Sequence, residues 1–381
     1  MRLQLEQAFQ RHFHHAPDFV VRAPGRVNLI GEHTDYNQGL VLPCAINYET
    51  LVAVRPRPDN RIQVVALDWE EETDQFELAL PIAHHSTQQW SNYVRGVVSE
   101  LLGGNHGLRG CDLAISGNVP QGAGLSSSAA LEIGLALGLL HAAGKTVSPL
   151  ELARIGQAAE NNFVGCACGI MDQLISAAGV AGGALAIDCR DLHTTPVPIP
   201  ASLSILMINS NVKRGLVDSE YNIRRQQCES AAEYFGASSL RDVSLDQLEA
   251  AKGLLGDAET MRARHVIEEN QRVTDFVKAL TEYDLPAVSR LMADSHRSMR
   301  DQFEITTPEI DLLVDVLTAV CGDRGGARMT GGGFGGCVVA LMESELVEPA
   351  IKAVEARYQR ETGLSESIYL SRPCSGASVI G

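Results

Sequence analysis

Positive charge is in short supply. Against 47 Asp and Glu the 381-residue chain sets 31 Lys and Arg, a formal charge of −16. That balance excludes a nonspecific grip on nucleic acid, whose affinity comes from cations on phosphate. Long apolar runs are missing as well. The longest, 129–144, is interrupted by Glu132 and His141, and it is shorter than the roughly 20 residues a membrane span takes. The first eleven residues are polar and amphipathic, without the apolar core of a secretory leader. Cysteines do not pair off. Nine of them, an odd number, are scattered from Cys44 to Cys374, and Cys111 and Cys337 sit in apolar strand-like runs. Reduced thiols and a cytoplasmic location are the expectation. Internal repeats and low-complexity linkers are absent.

Three common motifs also fail. A P-loop around Gly144-Lys145-Thr146 would need glycine where Leu139 stands, and a nucleophile elbow would need glycine at Ser128. The Rossmann spacing at Gly331, Gly333 and Gly336 is followed by the strand-like run Cys337-Val-Val-Ala-Leu341 instead of a helix.

What remains is a globular mixture, 45% hydrophobic and 20% charged, long enough for two domains. Strands are expected over 41–54, 61–67, 111–116, 184–188, 203–209, 337–342 and 367–370. Helices are expected over 90–102, 126–143, 149–163 and 346–360, with a mostly helical region over 219–318. Ser148 as cap, Pro149 in the first turn and Glu151 mark one helix start clearly. Strands and helices mix without regular βαβ alternation, which predicts an α+β architecture. The proline-rich stretch from Pro196 to Pro200 marks a domain boundary near residue 200, giving domains 1–200 and 201–381.

The 35 glycines cluster at 103–110, 117–124, 179–183 and 322–336. In Gly117-Asn-Val-Pro-Gln-Gly-Ala-Gly-Leu-Ser-Ser-Ser-Ala-Ala-Leu-Glu132 a strand runs into a glycine-rich loop that opens a helix. Unpaired first-turn amides and the positive end of the helix dipole suit phosphate there, and three serines add hydroxyls for phosphate or Mg²⁺. A serine-capped helix after a tight turn is the alternative. Nearer the N-terminus, Arg26, Asn28, Glu32, His33, Asp35 and Asn37 crowd beside Gly25 and Gly31. This mix of donors and acceptors on a glycine-punctuated loop suits a polyhydroxylated ligand, or else a solvated turn with Asx capping. Asp172 stands among Ile170, Met171, Leu174 and Ile175, where an acid is costly unless paired, functional or a helix cap. Cys166 and Cys168 lack the spacing of a zinc site and read as small buried hydrophobes. His12, His14 and His15 have no acid or cysteine beside them and read as a surface helix.

Taken together, these segments resemble the galactokinases, within the superfamily that includes homoserine, mevalonate and phosphomevalonate kinases. Gly25-Arg-Val-Asn-Leu-Ile-Gly-Glu-His-Thr-Asp-Tyr-Asn37 is similar to the galactokinase signature, and 117–128 to the superfamily phosphate loop. Gly169-Ile-Met-Asp-Gln173 resembles the catalytic-aspartate loop, and Met329-Thr-Gly-Gly-Gly-Phe-Gly-Gly-Cys337 the third glycine motif. The resemblance spans 20–340. It implies two α+β domains with the active site between them, and the reaction ATP plus galactose giving galactose 1-phosphate and ADP. It further implies Asp172 as catalytic base and Arg26 as the arginine that stabilises the transition state. Glu32, His33, Thr34, Asp35 and Tyr221 fall at sugar-binding positions. Gly122, Ala123, Gly124, Leu125, Ser126, Ser127 and Ser128 fall at the ATP loop, with Ser128 and Glu160 as Mg²⁺ ligands. Gln121, where leucine is common, and Ala130, where serine is, depart mildly from the pattern. No protein partner is expected. The rival readings are a silent sugar sensor on the same fold, and a kinase for N-acetylgalactosamine, arabinose or a non-sugar alcohol.

Overall fold

The computed structural model describes residues 1–213 and 217–381. Its thirteen strands are β1 (Phe19–Asn28), β2 (Leu40–Val41), β3 (Pro43–Pro56), β4 (Arg61–Ala66), β5 (Glu72–Glu77), β6 (Cys111–Gly117), β7 (Gly183–Asp188), β8 (His193–Pro198), β9 (Leu203–Asn209), β10 (Gly325–Thr330), β11 (Cys337–Glu343), β12 (Ser367–Ser371) and β13 (Ser378–Val379). Its helices are α1 (Arg2–Phe13), α2 (Gln89–Gly103), α3 (Ser127–Ala142), α4 (Pro149–Ala158), α5 (Met171–Ala178), α6 (Val217–Tyr234), α7 (Leu245–Ala250), α8 (Asp257–Thr281), α9 (Leu285–Ser298), α10 (Pro308–Cys321) and α11 (Val347–Thr362).

The strands form three sheets. Six are ordered β13-β1-β3-β6-β4-β5, four are ordered β10-β11-β9-β12, and three are ordered β2-β7-β8. Among the described residues only β4 and β6 pair in parallel, so the architecture is α+β rather than doubly wound. The proline-rich stretch that marked the boundary near residue 200 includes the end of β8. Pro196 and Pro198 are tolerated because β8 is an edge strand. A single apolar cluster joins the two larger sheets, running from Val27 and Ile46 through Met207 to Val339 and Leu341. After β12 the chain returns to the first sheet, where Val379 pairs with Val21.

Two local expectations are corrected. The polar stretch around Arg26 is not a loop throughout: β1 carries Arg26 and Asn28 and pairs along its length with β3. The helix expected over 149–163 ends at Ala158 and continues as a π-helical turn, Ala159–Val164. Such insertions gather at functional sites, and this one carries Glu160. The histidines near the N-terminus do find acids, supplied by the fold instead of the local sequence: His12 meets Glu71 at 2.9 Å and His15 meets Asp112 at 3.1 Å.

Candidate functional site

Arg26 on β1 and Asp172 in the first turn of α5 meet as a fork. Nε lies 2.7 Å from Oδ1 and Nη2 2.7 Å from Oδ2, the bidentate geometry that a planar guanidinium gives a carboxylate. Burial works against the Arg26 charge, but Asp172, Glu32 and Asp35 outweigh it and raise its pKa. Its remaining Nη1 donates to the Gly124 carbonyl at 2.5 Å, so the cation also grips the glycine-rich loop. Ser126 closes the triangle by donating its hydroxyl to Asp172 Oδ2.

The fork floors a cavity of about 180 Å³ lined by Arg26, Glu32, His33, Asp35, Glu160, Asp172 and Tyr221, together with Cys166, Cys168, Gly169, Met171, Gly331 and Gly332. Seven residues singled out in the sequence therefore share one chamber. Thr34 does not. Its hydroxyl is spent on the Gly31 and Leu40 carbonyls, at 2.9 and 2.7 Å, where it fixes the turn. Glu32 is buried and already engaged, accepting from Asn28, from Thr330 Oγ1 at 3.1 Å and from the Gly331 amide. It thus ties the N-terminal signature to the third glycine motif. Gly331 is required there, because its φ is +87° and a Cβ would lie 3.1 Å from the Gly124 carbonyl.

The electrostatics differ from one wall to another. Burial pushes His33 down to about 3, helped by His265, Arg224 and Arg328. Its imidazole is therefore neutral, held by the Tyr36 hydroxyl at 2.8 Å and packed on Tyr221 and Phe303. Burial, with Asp172 and Glu32 nearby, lifts Asp35 to about 7. Burial and Asp172 also raise Glu160. Cys166 and Cys168 are half-buried rather than core residues, and the Cys168 thiol donates to Glu160 at 3.4 Å.

A second cavity, of about 300 Å³, abuts the start of α3. Gln121, Gly122, Ser127 and Ser128 line one side, with Asp68, Trp69, Trp90, Tyr93, Val119 and Leu131 around the rest. Ser126, which precedes the helix, adopts a left-handed backbone and makes no side-chain cap bond, so the first-turn amides are not capped by it. Ala123 and Leu125 face inward and are fully buried. An apolar, aromatic slot ending at uncapped amides suits a purine nucleotide. The aromatic wall escaped the sequence reading, because Trp69 and Trp90 come from a hairpin turn and a distant helix with no shared motif.

The two cavities meet at the serines. Ser126 bonds Asp172, and Ser128 donates to Glu160. For a metal, a hydroxyl and a carboxylate are hard oxygen donors suited to Mg²⁺. Among the described residues no group of three or more His, Cys, Asp or Glu could hold an ion, so phosphate and water would complete the shell, as is usual for Mg²⁺. Behind Glu160, the Gln173 amide donates to Glu160 at 2.6 Å and to the fully buried Glu132 at 3.1 Å.

Comparison with known proteins follows the same segments. Residues 7–56 match the galactokinase galactose-binding signature, 92–180 the GHMP kinases N terminal domain, and 276–360 the GHMP kinases C terminal model. The fold is similar to Lactococcus lactis galactokinase complexed with galactose, at 33% identity and TM-score 0.93, with 99% of each chain covered. It is also similar to the mevalonate kinase of Methanococcus jannaschii, at 18% identity and TM-score 0.66, covering 93% of this chain and 98% of that one. The mevalonate kinase of L. major in complex with R-mevalonate superposes at TM-score 0.63 and 16% identity, over 93% and 96% of the two chains. At these identities the last two bear on the fold alone.

Proposed function

The chain belongs to the galactokinase family, and from that premise we propose how its own residues phosphorylate galactose with ATP as co-substrate. The sugar occupies the smaller cavity, with its anomeric hydroxyl against Asp172. The adenine occupies the aromatic slot, and the triphosphate crosses the Ser126–Ser128 amides toward the fork. Phosphoryl transfer needs alignment and neutralisation more than covalent help. Asp172 orients the hydroxyl and takes its proton as the new O–P bond forms. Arg26 fixes that carboxylate in one plane and brings positive charge to the transferred group. Glu32 and His33 shape the chamber, while Asp35 and Tyr221 offer polar groups to the sugar hydroxyls. Ser128 and Glu160 would hold Mg²⁺, which would neutralise phosphate charge. We place the domain boundary near residue 200, because the four-stranded sheet draws only on strands from Leu203 onward. None of the nine cysteines is in a disulfide among the described residues, which accords with a cytoplasmic setting, and no described helix is long and apolar enough to cross a membrane.

The observation that carries this reading is the convergence of residues 26, 126, 160 and 172 at the junction of the two cavities. Coupled ADP release with galactose, N-acetylgalactosamine, arabinose and a non-sugar alcohol tests it. Galactose-dependent turnover is expected. ADP release indifferent to every sugar would sink the reading and leave a binding protein. Asp172→Asn is expected to cut kcat by about 10²–10⁴-fold, the usual worth of general-base help, while calorimetry still detects galactose binding. Turnover within tenfold of the parent would remove Asp172 from the role.

A further inference from the structure

A third cavity backs onto the sugar chamber. It encloses about 280 Å³ and is lined by Arg154, Arg190 and Arg225, with Asp35 as its only acid among the described residues. Asp35, Gly169 and Cys168 belong to both cavities and form the partition between them. Three guanidiniums facing one hollow are notable in a chain of net charge −16, whose overall field repels anions and leaves only such a local cluster of cations to hold one. Their donors are not used up. Arg154 has no partner among the described residues. Arg190 spends Nη2 on Asp242 at 2.6 Å and Nε on Gln38 at 3.3 Å, which leaves Nη1. Arg225 spends Nε on Glu229 and Nη1 on the Ala167 carbonyl, each at 2.8 Å, which leaves Nη2. Fixed guanidinium forks with donors to spare are the chemistry that recognises tetrahedral oxyanions.

We propose that this hollow is a second binding site, for a phosphate dianion carried either as free phosphate or as a small phosphomonoester, and that its occupant weakens sugar binding through the shared partition. The volume exceeds that of the sugar chamber, so a phosphorylated hexose fits the same space. The coupling rests on the reading of Asp35 as a sugar acceptor. A dianion behind Gly169 places negative charge beside the Asp35 carboxyl and favours its protonated form, which removes an acceptor from the sugar's hydroxyls. The effect falls on galactose KM and leaves kcat and the ATP cavity untouched.

Direct binding tests the site independently of that reading. The full chain is saturated with a non-hydrolysable ATP analogue, so that the serine loop is filled, and titrated with inorganic phosphate at constant ionic strength in chloride. One equivalent is expected to bind, and Arg154→Glu to weaken it at least tenfold. Arg154 is exposed and has no partner among the described residues, so that variant should fold, with unchanged kcat in phosphate-free buffer. No binding beyond chloride, or equal binding to the variant, overturns the site. In the kinetic arm phosphate should raise galactose KM in the parent and not in Arg154→Glu; binding without that rise overturns the coupling alone. Displacement of phosphate by lower concentrations of a hexose 6-phosphate assigns the organic ester as occupant, and failure to displace assigns the free anion. Absence of galactose turnover in every sample would count against the kinase reading instead, leaving the binding result intact.

Discussion

At residue 169 the fold leaves no room for a single methyl. A Cβ there would stand 1.8 Å from Asp35 Oδ2 and 2.3 Å from its carboxyl carbon, so Asp35 would have to leave its place. Gly169→Ala is therefore expected to raise galactose KM at least tenfold with little change in ATP KM; equal rises in both would mean that the whole loop had moved. Residue types were legible in the sequence here, but the division of labour among them was not. Glu32, His33, Thr34 and Asp35 read as four equivalent polar groups. Only the fold shows Thr34 turned to backbone carbonyls, Glu32 bonded to Thr330 and Gly331, and His33 stripped of its charge by burial. The partners of Glu32 lie some 300 residues away in the chain, and His33 is packed against Tyr221 and Phe303, which no local pattern encodes.

The elements were easier to read than their ends and joints. Ser148 accepts from the Glu151 amide at 3.1 Å, as the cap signal required. Ser148→Ala is expected to destabilise the protein by about 1 kcal/mol, the usual worth of such a cap, measured by denaturant melts, with kcat unchanged; a fall in kcat would tie α4 to the chemistry more closely than its position implies. Near-continuous apolar runs, such as β9 and β11, matched expectation almost residue for residue. β1 escaped because its inner half carries Arg26 and Asn28 where a strand usually carries apolar residues. Ion pairing and hydrogen bonding offset the cost of burying them only in the assembled site. The π-turn at Glu160 escaped for a similar reason: helix propensity does not distinguish one extra residue in a turn.

Across the whole molecule, the buried titratable groups pull in opposite directions. His33 and His265 are driven by burial to about 3 and about 4 from an ordinary 6.5. The unfolded chain then binds more protons below pH 6.5, and their contribution is lost on acidification. Burial works to raise Glu269, but Arg272, His265, Arg328 and the Ser295 hydroxyl together outweigh it and hold it at about 2, with the same sign. Asp35, Glu132 and Glu160 are all raised, chiefly by burial, and their contribution is present at low pH and lost as pH rises. Removing one acid tilts the balance. Glu132→Gln should gain in Tm over the parent as pH climbs from 5 to 8, and a constant difference would show that Glu132 keeps an ordinary pKa. The joint between residues 26, 126 and 172 has a further consequence. Oδ1 of Asp172 is engaged by Arg26 and Oδ2 by both Arg26 and Ser126, so a nucleophile must displace the serine to reach the acid, which a sugar held in the chamber can do and a passing water cannot. The serine acts as a guard against futile hydrolysis: Ser126→Ala should raise the ratio of sugar-independent to sugar-dependent ADP release, and an unaltered ratio would show that idle enzyme spares its ATP by some other means.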